Sequence, residues 1–187
     1  MKKNEKKSLD TLKRGRLSNH LRVLATASFL AALSIVCGKY LAIPIGNVMR
    51  FSFENLPILM AGMMLGPIVG ILTGVVADLV GCFLVGYAIN PMVTLGAACV
   101  GLVGGLLFRL LSKLPLFARV FLSVFTAHLF GSVLIKTWGL AVFYDMPFYV
   151  LLLWRLLNYV IVGIAEGLLL YYLLKSRAIR RRFDTLR

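Results

Sequence analysis

The chain has 187 residues, is 60% hydrophobic and carries a net charge of +14, with a mean hydropathy of +0.89. A soluble domain of this length cannot bury so much apolar surface, because about half of a folded protein's surface faces water. Seventeen of the 21 basic residues lie within 1–22, 109–119 and 175–187 and flank apolar stretches, which is positive-inside topology and excludes a nucleic-acid footprint.

A hydrocarbon core about 30 Å thick takes roughly 20 helical residues to cross. The stretch 20–175 therefore predicts a membrane domain of about six short helices, between a basic cytoplasmic segment over 1–19 and a basic cytoplasmic tail over 176–187. The N-terminal segment is suited to touching anionic lipid. It is followed by no short apolar run with a small-residue cleavage site, so the first apolar stretch reads as a retained helix.

The first helix is expected over 21–41, then an outer loop over 42–52 with Pro44, Gly46, Asn47 and Arg50. A short second helix over 53–65 ends at the inner turn Gly66-Pro67, where the proline opens the third helix over 67–83. The segment 84–91 carries Gly86 and the turn signal Asn90-Pro91. Helices over 92–111, 116–138 and 148–175 complete the chain, and six crossings return the C-terminus to the cytoplasm. Irregular backbone at membrane depth survives only where protein or water satisfies it, so 42–52 and 84–91 predict the mouth of an outward-opening cavity.

Four constellations carry chemistry. Ala27 and Ala31 share a helix face that lets another helix approach closely, inside the bundle or from a partner. Arg50 can receive an anion and Phe51 or Phe53 can stack on a flat ring, or the same residues can face headgroups and lipid. Gly70, Gly74, Asp78 and Gly81 line one face around a carboxylate, which inside a membrane is functional or paired. His128, Lys136, Trp138, Arg155, Asn158 and Glu166 bring polar groups into the last two helices. Arg155 and Asn158, three residues apart, suit a ligand with carboxylate and amide-like edges. Glu166 is expected to pair with a basic residue near the inner surface.

Cys37, Cys82 and Cys99 lack metal-ligand spacing and read as small buried hydrophobes. Phosphate-loop, zinc-protease and nucleophile-elbow motifs are missing from the sequence. No enzyme, metal or cofactor is expected in this chain, and any ATP would be used by another subunit. A clear inverted repeat is missing too, which weakens a self-sufficient carrier.

The run from Arg50 through Phe51, Ser52, Phe53, Glu54, Asn55, Leu56 and Pro57 to Gly66-Pro67 and Asp78-Leu-Val-Gly81, with Ala27 and Ala31, resembles the substrate-binding S-components of energy-coupling factor (ECF) transporters over about residues 20–175. Tyr87 to Gly96 and Arg50-Phe-Ser-Phe are most similar to the folate-specific members. The resemblance implies a six-helix S-component bundle in the bacterial plasma membrane that captures a vitamin outside and reorients to release it inside. It also implies a transmembrane T-subunit, packed on Ala27 and Ala31, and two ATPase subunits. With folate as ligand, the expected contacts are Arg50, Tyr87, Arg155 and Asn158, then Phe51, Asn90, His128 and Trp138. The competing readings are an S-component for another vitamin, a membrane scaffold without ligand, and a proton-coupled carrier using Asp78 or Glu166.

Overall fold

In a computed structural model, the backbone is described for residues 2–45, 49–143, 145–177 and 179, and the side chains for 19–43, 51–143, 145–177 and 179. Helix α1 runs from Lys2 to Ile35 and continues as a π-helical stretch, Val36–Tyr40. Two strands follow, β1 Ile43–Ile45 and β2 Met49–Phe51, antiparallel with Pro44 opposite Arg50. Next come α2 Asn55–Met64, α3 Pro67–Val85 and α4 Pro91–Leu110. Helix α5 Leu116–Ala127 passes through a π-helical stretch, His128–Ile135, into α6 Lys136–Phe143. Helix α7 Phe148–Lys175 follows.

Local chemistry explains the breaks. Gly66 takes φ +121° between α2 and α3 and Pro67 opens the next helix, where its missing N–H costs nothing. Gly86 closes α3 in the left-handed region at φ +75°, as a helix-terminating glycine does. The Asn90 side chain accepts from the Met92 N–H and caps α4, satisfying one of the orphan donors of a helix start.

Helix α1 runs unbroken from Lys2 through the basic segment expected over 1–19; its lysines, leucines and glutamate favour helix and no proline interrupts them. Two expectations change. The segment 42–52, expected as an outer loop, contains a two-stranded ladder, so the described residues are helical apart from two short paired strands. That pairing satisfies backbone groups that would otherwise need protein or water. The fifth helical rod continues past residue 138 to Phe143. Gly46, Asn47 and most of the tail expected over 176–187 lie outside the described residues.

Five helical stretches among the described residues are long and apolar enough to cross a membrane: Asn19–Tyr40, Pro67–Val85, Pro91–Leu110, Leu116–Phe143 and Phe148–Lys175. Helix α2 has ten residues, about 15 Å of rise, or about half a hydrocarbon core.

The polarity of the bundle is inverted relative to a soluble protein. Leu72, Phe83, Leu122, Val142, Leu153 and Leu157 are exposed. Asn55, Ser123, His128, Ser132, Lys136, Thr137 and Glu166 are buried. An apolar core of Leu59, Met63, Val100, Val124 and Leu170 joins α2, α4, α5 and α7 below the polar residues. Helices α3 and α4 make the most extensive contact of the bundle, through glycines. A Cβ on Gly70 would stand 2.6 Å from the Gly101 oxygen and 2.7 Å from Gly62 Cα, so these backbones touch as small-residue membrane interfaces do.

Candidate functional site

The polar side chains converge where the π-helical end of α1, the start of α2, the middle of α3 and the junction into α6 meet. Glu54, the residue before α2, accepts at Oε1 from Lys136 Nζ at 2.8 Å. Its backbone carbonyl accepts from Ser34 Oγ on α1 at 2.6 Å. Lys136 also reaches Asn55 Oδ1 at 3.5 Å. The Lys136 side chain is 4% exposed and that of Glu54 27%. Burial alone would raise the Glu54 carboxyl, but the Lys136 ammonium, reinforced by Lys39 and Arg155, holds it down at about 2.

Asp78 on α3 accepts from Thr94 Oγ1 at 2.6 Å and lies 4.0 Å from Cys82 Sγ. Lys39 lies 3.9 Å from that sulfur and 5.4 Å from the centre of the Tyr87 ring. Ser34, Gly38, Lys39, Glu54, Asp78 and Lys136 share one cavity of about 10 Å³, room for about one water.

Small residues make room for the long charged stems. A Cβ on Gly38 would stand 2.8 Å from Glu54 Cβ, and one on Gly81 would stand 3.0 Å from Lys39 Cε. One on Gly96 would strike Lys136 Cγ. Lys39, His128 and Ser132 belong to π-helical stretches, which widen a helix locally and recur at functional sites.

From Lys136 the polar network continues into the bundle. Asn55 Nδ2 lies 3.4 Å from Ser132 Oγ, which lies 3.5 Å from His128 Nδ1. His128 Nε2 meets Glu166 Oε2 at 2.8 Å with both side chains buried. Glu166 thus pairs with a histidine inside the bundle rather than with a lysine or arginine near the inner surface. Arg155 donates from Nη2 to the Ser132 carbonyl at 3.2 Å and to the Tyr159 hydroxyl at 3.3 Å, and its Nε is buried without a partner.

The expected ligand contacts fall into groups. Arg155 joins the network directly, and Asn158 is buried on the same helix. Tyr87 is 45% exposed beside Lys39. Phe51 is half-buried at the end of β2. The Arg50 side chain lies outside the described residues. His128 is engaged by Glu166. Asn90 caps α4 and donates to the Gly139 carbonyl at 2.9 Å, which makes it part of the wall. Trp138 is 57% exposed and takes no part in the cluster, because two residues beyond Lys136 a side chain points to the other side of the helix.

Ala31 is buried and Ala27 half-buried, because α1 packs that face on α2 and α3. Among the described residues of α1, Ala25, Ser28 and Ala32 are small and exposed. Glu54, Asn55 and Lys136 were absent from the expected contacts. Their signal was present: two polar residues opening an apolar helix, and one lysine in an apolar stretch, are costly inside a membrane without a role.

Fold and site together define a membrane-embedded helical subunit whose polar groups converge on one internal cluster. Residues 22–175 match the family of ECF transporter substrate-specific components, and the chain belongs to that family, one of transporter subunits rather than enzymes. Among solved structures it is similar to FolT bound with folic acid, with 25% identity and a TM-score of 0.67 over 80% of this chain and 90% of that one. It is similar in fold to the S-component for biotin from an ECF-type ABC transporter, at 21% identity and a TM-score of 0.62 over 85% and 94% of the two chains. The S component of a bacterial ECF transporter aligns at 19% identity and a TM-score of 0.59 over 84% and 99%. No match was found among curated protein sequences.

Proposed function

We propose that this chain is the folate-binding S-component of an ATP-driven ECF importer. It crosses the bacterial plasma membrane with six helices and both termini in the cytoplasm, captures folate outside, and reorients to release it inside. A T-subunit and two ATPase subunits supply the energy.

One observation carries the ligand. Among the described residues, Lys39 and Arg155 have no carboxylate within 4.0 Å, whereas Lys136 is paired with Glu54. Two cations left over in a closed cluster favour an anion, and the folate tail carries two carboxylates. Tyr87 beside Lys39 offers a ring face to an aromatic ring of the ligand. The likeness to FolT bound with folic acid points the same way.

The test is binding of labelled folic acid to the detergent-purified chain, with other vitamins as unlabelled competitors. One-to-one binding displaced by folates alone is expected. Displacement by a different vitamin would keep the family and change the ligand, and a folded sample that binds no vitamin would overturn the reading.

A further inference from the structure

The Glu54–Lys136 pair has a geometry that the folate tail does not need. With Lys39 and Asp78 it lines a cavity of only about 10 Å³. Nothing the size of a ring enters while the two side chains touch. The Glu54 backbone is pinned to α1 through Ser34, so side chains must separate. Gly38 and Gly96, under the Glu54 and Lys136 stems, are the positions that leave them space to do so.

A separated pair is a buried donor next to a buried acceptor, each costly without a new partner. A carboxylate takes two parallel N–H donors and an ammonium donates to a carbonyl. The ligand edge that satisfies both presents a carbonyl beside a ring N–H and an amino group. That is the lactam–amidine edge of a 2-amino-4-oxo ring. We propose that the Glu54–Lys136 pair is the ring-reading element of this site: it opens around such an edge, with Lys136 donating to the ring carbonyl and Glu54 accepting from the ring N–H and amino group. This rests on the folate reading above and assigns the pterin end of the ligand, leaving Lys39 and Arg155 to the tail.

The experiment measures folic acid affinity on the full chain, together with competition by pterin-6-carboxylate and by p-aminobenzoyl-glutamate. The variants are Glu54→Gln and the charge-swapped Glu54→Lys/Lys136→Glu. Glu54→Gln is expected to weaken folic acid by about tenfold, the range lost when a charge-assisted bond is removed, with the loss in pterin-6-carboxylate competition and none for p-aminobenzoyl-glutamate. The swapped pair rebuilds the ion pair and its melting temperature, but presents donor and acceptor in the wrong order, so folic acid binding stays lost. Recovery of folic acid binding in the swapped variant, or wild-type affinity in Glu54→Gln, overturns the ring-reading role while the folate function stands. A wild-type chain that ignores folic acid altogether overturns both.

Discussion

His128 Nε2 lies 2.8 Å from Glu166 Oε2 across 38 residues of sequence, and neither side chain reaches the surface. The pair ties the π-helical stretch of the fifth rod to α7. Removing one partner of a buried pair leaves the other uncompensated, at a cost of about 3–5 kcal/mol. Glu166→Leu is therefore expected to lower the melting temperature sharply in detergent. The double variant His128→Phe/Glu166→Leu should recover most of it, since a packed apolar pair removes both desolvation terms. Equal melting of the single and double variants would show that the pair does not matter.

Gly96→Ala tests the cradle under Lys136. The added methyl would strike Lys136 Cγ and stand 2.7 Å from the Gly131 oxygen, and backbone cannot yield as a side-chain tip can. Overpacking of this kind costs about 1–3 kcal/mol. Thermal unfolding should register that cost, and folic acid affinity should fall with it as Lys136 is displaced. Wild-type values for both would mean the helices adjust without loss.

Arg155→Glu places a carboxylate where the proposed ligand brings its own. A loss of at least about tenfold in folic acid affinity is expected, the weight of one charge-assisted contact replaced by repulsion. Unchanged affinity removes Arg155 from the site. Lys39→Glu should behave in the same way.

The pH response of the Glu54–Lys136 pair follows from the Glu54 carboxyl, which sits at about 2 instead of the usual 4.5. A carboxyl depressed on folding contributes stability above its unfolded value and loses it as pH falls toward the folded one. The melting-temperature difference between wild type and Glu54→Gln should therefore be flat from about pH 8 to about pH 5, and shrink only below about pH 4.5. A difference that collapses above about pH 6 would show that the Glu54 carboxyl does not set it.

On α1, Ser28 and Ala32 are exposed while Ala31 is buried. Ser28→Trp and Ala32→Trp should leave folic acid binding in detergent intact and abolish ATP-driven uptake in vesicles that also hold the T-subunit and ATPases. Ala31→Trp should destabilise the isolated chain by about 1–3 kcal/mol, the usual range for overpacking. Normal uptake by both exposed-face variants would move the partner contact elsewhere.

The sequence allowed the helix ends to be placed where turn chemistry is local. Gly66-Pro67, Gly86 and Asn90-Pro91 each act within a few residues, and the breaks fall where they dictate. The hairpin at 43–51 and the two π-helical stretches were not legible, because they depend on what packs around them. Neither was the Glu54–Lys136 pair, whose partners are 82 residues apart. Composition marks both as costly in a membrane but does not say which helix faces meet. The same gap explains Ala27 and Ala31. The membrane part of α1 is apolar on every side, so periodicity cannot tell its buried face from its open one.

The backbone contacts among Gly62, Gly70 and Gly101 have a mechanical consequence. Where main chain lies on main chain, no side chain is left to change rotamer and absorb a displacement, so α2, α3 and α4 shift together as one stiff slab. The rod from Leu116 to Phe143 is held to α4 in the same way, through the backbones of Gly131 and Gly96. Glu54 and Lys136 thus stand on elements that are both fastened to α4 main chain to main chain. Room for a ligand between them comes from their long side chains and not from spreading the helices.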